Sequence, residues 1–261
     1  MLSLTLIDKI TQFFPIRNTK MKIKLGILAL VLATTVSADT IFGLYAGAKY
    51  WNYGINGNIQ SGISQNENVD VDYSKANGNI LYVNVEHAVP FLPNIGLKQT
   101  NIDTSDVISL SNATSAPGQT IDVFAKTDLS HTDFTLYYEV LDNWINLDLG
   151  VTVKLFDGYN DFYSEGFIDE HSAFDEWIPM LYGKGEFDLP FTGFSTSIQL
   201  NALSFRNSKV TDFEAALSYE SKLGFGADLG YKSLDLDLPD IEDYKSDLTV
   251  DGFFLGVSYH F

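Results

Sequence analysis

The feature that most constrains this chain is a strict alternation of apolar and polar residues. The stretch INLDLGVTVKL, residues 145–155, places six aliphatic side chains on one parity and Asn, Asp, Gly, Thr and Lys on the other. A period of two predicts a β-strand with one apolar and one polar face. The stretch also has the length of about 9–11 residues that a tilted strand needs to cross a bilayer.

Ten segments alternate in this way, and the lengths of the connections between them also alternate. The segments are 41–53, 78–89, 94–104, 129–141, 144–156, 175–189, 192–205, 210–221, 224–234 and 249–261. Odd-numbered connections are long and even-numbered ones short, apart from the short seventh connection RNSK. Short periplasmic turns and longer outer loops are typical of outer-membrane barrels. The sequence therefore predicts an all-β fold, a closed antiparallel transmembrane β-barrel of about ten strands, with both termini on the periplasmic side.

The residues before the first segment predict export. Residues 21–38, MKIKLGILALVLATTVSA, combine two lysines, an apolar run too short to span a bilayer, and small residues before Asp39. This pattern is typical of a signal peptide cleaved after Ala38. We interpret residues 1–20 as an upstream extension outside the mature protein, with a short amphipathic helix as the alternative. The barrel domain is then 39–261.

Composition excludes several classes of protein. Residues 39–261 carry 11 Lys and Arg against 33 Asp and Glu, so a nucleic-acid partner is not expected. The chain has no cysteine, which excludes disulfides and the acylated cysteine of a lipoprotein. No phosphate-binding glycine loop, zinc-ligand spacing or nucleophile elbow is present, so we predict no cofactor and no metal.

The last strand, GFFLGVSYHF, ends the chain on an aromatic residue. Its outward parity is Phe253, Leu255, Val257, Tyr259 and Phe261. We expect Phe261 to join a periplasmic aromatic girdle with Tyr219, Phe225, Phe187 and Trp144, and we expect Trp177, Tyr50 and Tyr231 at the outer interface.

This strand, the opening FGLYAGAKYWNYG and the hairpin VEHAVPFLPNIGLKQT resemble the uncharacterised outer-membrane β-barrel proteins of proteobacteria. The resemblance implies an outer-membrane location, surrounding outer-membrane lipids, and a terminal strand recognised by the barrel assembly machinery after delivery by periplasmic chaperones. It implies no activity. We expect a monomer.

The inward parity of the ten segments is rich in charge, and this leaves two hypotheses for the lumen. The charged positions are Lys49, Glu86, Lys98, Asp133, Glu139, Asp148, Lys154, Lys184, Glu186, Asp188, Asp212, Glu214, Glu220, Asp228 and Lys232. They predict either an ion-pair network that plugs the barrel in a structural protein or a narrow cation-preferring channel.

Enzymatic and binding hypotheses are weaker. His131 and Asp133 share a parity, as a protease pair would, but no second acidic pair is evident at the same height. Ser130 and His131 are adjacent on a strand and point to opposite faces, and His171 beside Ser172 has no evident orienting partner. We therefore predict no catalytic residues and no enzyme, with an outer-leaflet hydrolase as the alternative.

A third hypothesis is a surface binder that acts through its long loops. The acidic stretches DGYNDFYSEGFIDE (157–170) and DLDLPDIEDYKSD (235–247) are interpreted as solvated extracellular loops, with Ca²⁺ binding as the alternative. Pro179 lies inside the sixth segment and predicts a bulge or the true start of that strand.

Overall fold

The computed structural model describes residues 42–60, 69–89, 91–111, 120–165, 168–205, 208–241 and 244–261. The predicted signal peptide and upstream extension lie outside these residues. The strands are β1 (Phe42–Gln60), β2 (Val69–His87), β3 (Asn94–Thr100), β4 (Asp103–Ser111), β5 (Thr120–Asp128), β6 (His131–Leu141), β7 (Ile145–Ser164), β8 (Ile168–Leu189), β9 (Phe194–Phe205), β10 (Ser208–Glu220), β11 (Phe225–Ile241) and β12 (Tyr244–His260). Across this part of the chain, no helix is long and apolar enough to cross a membrane.

The strands form one antiparallel sheet that closes on itself. β12 pairs with β1, and β7 pairs with both β6 and β8, which completes a ring. The twelve strands fill only ten positions in the barrel wall. β3 and β4 follow one another in one position, and β5 and β6 follow one another in the next. The predicted ten-strand closed barrel is confirmed. Closure pairs the backbone groups that lipid could not satisfy.

The breaks between β3 and β4 and between β5 and β6 lie where side chains replace backbone hydrogen bonds of the sheet. The amide of Ile102 donates to Ser130 Oγ at 3.0 Å, and the amide of Ser130 donates to Asp128 Oδ1 at 2.8 Å. The amide of Leu129 donates to the carbonyl of Ile102 at 2.8 Å, which keeps the two interruptions side by side.

An apolar band surrounds the barrel on its outer face. On β7 the outward residues from Ile145 to Leu155 are aliphatic, and Leu149 and Val151 are exposed. The band ends at Asp157, which is paired directly with Asp175 on β8. A belt of this kind, bounded by charge, is what a lipid-facing surface requires.

Most strands continue far beyond this band at one end, which corrects the prediction of long outer loops. β7 and β8 have 20 and 22 residues, and β11 and β12 have 17 each. The two acidic stretches interpreted as loops therefore lie largely in strands. We call this part of the barrel the extended end. The seventh connection, between β9 and β10, is short, as predicted, so these two strands extend least beyond the apolar band.

Pro179 does not interrupt β8, so the predicted bulge or strand start is wrong. β8 runs through it, and Pro179 is paired in register with Val153 on β7. The ladder between β8 and β9 begins only at Leu181, opposite Ala202. A proline can occupy this position because the missing amide lies where β9 offers no partner.

The opposite end of the barrel, which we call the short-turn end, carries an aromatic girdle. Trp144 contacts Phe187 with ring centroids 5.6 Å apart, and Phe194 contacts Tyr219 at 5.0 Å. Tyr259 lies between Phe225 at 4.7 Å and Phe261 at 4.3 Å. The amide of Phe261 donates to the carbonyl of Leu44 at 2.9 Å, so the last residue is tied to β1.

Candidate functional site in the barrel interior

The inward side chains divide the lumen into three zones along the barrel axis. An open polar cavity, the vestibule, lies at the short-turn end. A layer of buried charged residues, the ion-pair layer, follows it. An apolar core fills the extended end. All three zones are built from inward-facing residues of the strands, so their order follows from the sequence of each strand.

The ion-pair layer is centred on Lys154. Its Nζ donates to Asp133 Oδ1 at 2.8 Å and to Asp212 Oδ2 at 2.8 Å, and all three side chains are buried. Asp133 is the direct cross-strand partner of Lys154, whereas Asp212 reaches it from β10 across the lumen. Lys232 pairs with Asp212, and Lys98 lies 3.5 Å from Asp133. Burying such charges is tolerable because each has an opposite charge beside it.

A second ion pair joins β1 to β10 at the border of the vestibule. Lys49 bonds to Glu214, and its ammonium lies 4.5 Å from the Phe254 ring centroid and 5.2 Å from that of Tyr82. Glycine at position 230 makes room for Phe254, since an added Cβ would lie 2.3 Å from Phe254 Cζ. The aromatic faces thus shield and stabilise the buried cation.

The apolar core covers the ion-pair layer on the extended side. Its buried members are Trp51, Tyr53, Ile55, Ile80, Ile102, Val123, Ala125, Leu129, Phe156, Phe162, Met180, Val210, Leu234, Leu236, Leu248, Val250 and Phe254. Trp51 lies at its base, with Lys232 Nζ 5.7 Å from its ring and Tyr53 at 4.8 Å. The sequence interpretation missed this core, because it assigned apolar residues to the lipid face alone.

The vestibule is a cavity of about 280 Å³. Its walls include Asp142, Glu220 and His260 at the mouth and Lys49, Lys98 and Glu214 at the base. Eight carboxylates, three lysines and six tyrosines line it in total. The cavity is therefore polar and carries a strong excess of negative charge.

The predicted lumen charges separate into these zones. The ion-pair layer takes Lys98, Asp133, Lys154, Asp212 and Lys232, with Lys49 and Glu214 at its border. The vestibule takes Glu86, Glu139, Asp148, Lys184, Glu186, Glu220 and Asp228. Asp188 lies near the short-turn end, where Asn146 Nδ2 donates to it at 3.3 Å.

The residues of the protease hypothesis are brought together but covered. His131 Nδ1 lies 2.9 Å from the carbonyl oxygen of Leu129, and its ring packs on Phe156 at 5.0 Å. His131 is 1% exposed. No substrate peptide can reach a histidine buried between the apolar core and the ion-pair layer in this conformation.

His171, by contrast, has the orienting partner that sequence reasoning did not find. It lies on β8 rather than in a loop, opposite Asp161 on β7, and bonds to that carboxylate. Both side chains are exposed on the outer surface of the extended end. Ser172 is opposite Asn160 on β7.

A possible metal centre among the described residues is His131, Asp133 and Asp212, whose ligand atoms lie within 4.8 Å of one another. The ammonium of Lys154 lies 2.8 Å from both carboxylates and takes the position that a cation would occupy. The predicted absence of metal therefore stays a prediction, and this cluster is explained by its own lysine.

Neither a protein-family model nor a curated protein sequence matches the chain. Solved structures with related overall shape include the outer-membrane protease OmpT from Escherichia coli, at 14% identity, 87% of this chain, 99% of that chain and a TM-score of 0.44. Ail, the attachment invasion locus protein of Yersinia pestis, is 14% identical over 85% of this chain and 100% of that chain, at 0.38. The translocator domain of the autotransporter NalP from Neisseria meningitidis is 10% identical. The match covers 91% of this chain and 93% of that chain, with a TM-score of 0.39.

Proposed function

We propose that this chain is a structural outer-membrane β-barrel whose lumen is closed by its own side chains. The observation that carries this proposal is the stacking of the apolar core on the ion-pair layer. A solute crossing the lumen would have to displace the ring of Trp51 and separate Lys154 from both Asp133 and Asp212. Removing one partner of a buried ion pair costs about 3–5 kcal/mol, and drawing Lys154 away from two carboxylates leaves the same charges uncompensated, so such a path opens rarely.

The location and processing follow from the same proposal. The apolar band and the aromatic girdle fit an outer membrane, with the short-turn end in the periplasm and the extended end at the cell surface. Export proceeds through the predicted signal peptide, and the terminal strand serves the assembly machinery. The protein acts as a monomer, and this role requires no catalysis.

Planar-bilayer recording tests closure. The purified barrel is expected to give no discrete conductance steps at 1 M KCl, and a Val151→Ala variant on the lipid face is the matched control. Removing the plug in steps, with Trp51→Ala and then Trp51→Ala combined with Lys154→Ala, is expected to produce steps. Cation-selective steps in the wild-type protein would contradict the proposal and support the narrow channel instead.

A second candidate function is contact with an external surface through the extended end. Val107, Phe124 and Tyr163 are cross-strand neighbours on β4, β5 and β7 and form one outward row. They are 57%, 46% and 54% exposed, well above the band that ends at Asp157. An exposed apolar row above the lipid favours an interaction site.

Cells that display the protein provide the test of this second function. Binding to polystyrene beads is expected to exceed binding to silica beads and to fall with Phe124→Ser. The matched control is Thr127→Ser, at an inward position of the same strand. Equal binding to both bead types would show that this row of apolar residues is not a contact surface.

A further inference from the structure

The walls of the vestibule contain an electrostatic conflict. Glu139 on β6 and Asp148 on β7 are direct cross-strand partners, and both face the cavity. Like charges at directly opposed positions of an antiparallel pair are destabilising. Glu86 adds a third carboxylate to this part of the cavity, where it accepts a hydrogen bond from Tyr137 Oη at 2.9 Å.

Asp148 is the member of this group that has no hydrogen-bonded partner. It is only 7% exposed, and no described side chain donates a hydrogen bond to it, although the charge of Lys184 attracts it. Glu139, in contrast, accepts a hydrogen bond from Asn94 Nδ2 at 2.7 Å. A largely buried carboxylate that no donor satisfies is costly, so this part of the cavity wall favours an added positive charge.

The lysines of the vestibule supply that charge only in part. Lys184 is the cross-strand neighbour of Asp148 on β8, but its Nζ bonds to Glu186 Oε2 at 2.6 Å. Lys49 is committed to Glu214, and Lys98 is nearest to Asp133. One oxygen of Asp228, also on the cavity wall, is likewise buried without a hydrogen-bond partner.

The spacing of the carboxylates argues against a single metal ion. In the described part of the chain, the one cluster of acidic and histidine ligand atoms within 4.8 Å is that of His131, Asp133 and Asp212, which lies outside this group. Oxygen ligands of Ca²⁺ or Mg²⁺ must lie about 2.0–2.6 Å from the ion. The negative charge of the vestibule is instead spread along a cavity of about 280 Å³.

The walls offer apolar contact as well as charge. The rings of Tyr137 and Tyr182 lie 5.7 Å apart and are inclined by 49° beside the carboxylates. Aromatic faces attract ammonium groups and pack against aliphatic chains. We infer that the vestibule is a binding site for a linear aliphatic diamine or polyamine, with one ammonium between Asp148 and Glu86 and the chain against these tyrosines.

Calorimetric titration of the folded full-length barrel in zwitterionic nanodiscs tests this inference, with spermidine and 1,4-diaminobutane as probes at constant ionic strength. One molecule of spermidine is expected per barrel, bound at least tenfold more weakly by Asp148→Asn. Asp157→Asn, an exposed carboxylate on the same strand outside the cavity, is expected to leave binding unchanged. Equal weakening by the two variants would reduce the effect to surface charge and overturn the inference.

Further measurements separate the alternatives. Without amine, Asp148→Asn and Glu139→Gln are each expected to raise the urea midpoint, because each removes the like-charge pair. A lower midpoint for both would show that no conflict exists and would overturn the inference. Mg²⁺ that competes for the vestibule as well as spermidine does, at equal total charge, would also overturn the inference. A protonated Asp148 carboxyl in the ¹³C spectrum, together with no amine binding, would do the same.

Discussion

Lys154 on β7 and Asp212 on β10 meet across the lumen with Nζ and Oδ2 2.8 Å apart, although 58 residues separate them in the chain. This contact links two walls of the barrel that share no hydrogen-bonded ladder. Because Lys232 also bonds to Asp212, one carboxylate bridges two buried ammonium groups.

Asp212→Ala should therefore destabilise the barrel strongly. Lys232 would lose its carboxylate partner, and Lys154 would keep only Asp133. Breaking a buried pair in this way costs about 3–5 kcal/mol. Urea titration in detergent micelles measures the free energy of unfolding, and the exposed Asp157→Ala is the control, with an expected change of less than about 1 kcal/mol. Similar losses for the two variants would mean that the layer is solvated rather than buried.

Charge on the lipid face should cost more than charge in the vestibule. Leu149→Arg places a guanidinium near the middle of the apolar band and should destabilise by about 2–4 kcal/mol. Ser197→Arg adds the same group to the wall of the acidic cavity and should have a much smaller effect. Equilibrium refolding into lipid bilayers provides the comparison, and equal losses would invalidate the division into lipid-facing and inward parities.

The terminal aromatic residue should matter for assembly more than for stability. Phe261 and Phe225 are each 62% exposed, and both contact Tyr259 in the girdle. Phe261→Ser and Phe225→Ser should thus lower the unfolding midpoint by comparable amounts. Outer-membrane abundance in cells should fall far more for Phe261→Ser, if the terminal strand is recognised during assembly. Equal abundance of the two variants would show that position 261 carries no special information.

The mature chain should begin at Asp39. The small residues Val36, Ser37 and Ala38 follow an apolar run and fit signal-peptidase cleavage. Intact-mass measurement of protein extracted from outer membranes provides the test, and a catalytically impaired signal peptidase strain serves as the control. A mass that includes residues 1–20 would contradict the processing scheme.

The sequence was sufficient to predict ten strand positions, their antiparallel order and which residues face outward. A lipid-facing wall requires apolar and polar residues to alternate in every strand that crosses it. Leu149 and Val151 face outward, as the period-two pattern requires, and the short turns lie at one end. An inward position does not by itself mean, however, that a charged side chain is tolerated there. Thr152 is fully buried and bonds to Thr135 and Asn201, so a large charged side chain does not fit there.

The extended end could not be predicted from the same pattern because the apolar parity reverses. On β7 the outward aliphatic series ends at Leu155 and the inward apolar series starts at Phe156; on β12 the adjacent pair Phe253 and Phe254 marks the same change. Beyond these points the outward residues are often acidic and resemble loop sequence. Two adjacent apolar residues at the end of an alternating segment are the signal that could have revealed it.

The vestibule and the ion-pair layer depend on contacts between distant strands, which periodicity does not encode. Register places Asp133 opposite Lys154, and alternation could suggest that both face the lumen. The meeting with Asp212 depends on the diameter and tilt of the closed barrel. For the same reason, the lack of a hydrogen-bonded partner at Asp148 is visible only after every neighbouring lysine has been assigned.

The stacking of the apolar core over the vestibule makes the two sides of the molecule chemically unequal. Lys49, Lys98 and Lys184 border a chamber that the apolar core covers on the side away from the short-turn end. An impermeant amine-reactive reagent meets different lysines depending on the side from which it is applied, and a molecule that diffuses into the chamber has to leave by the way it came. The barrel therefore presents two chemically different ends, one accessible to small molecules and one closed by apolar side chains.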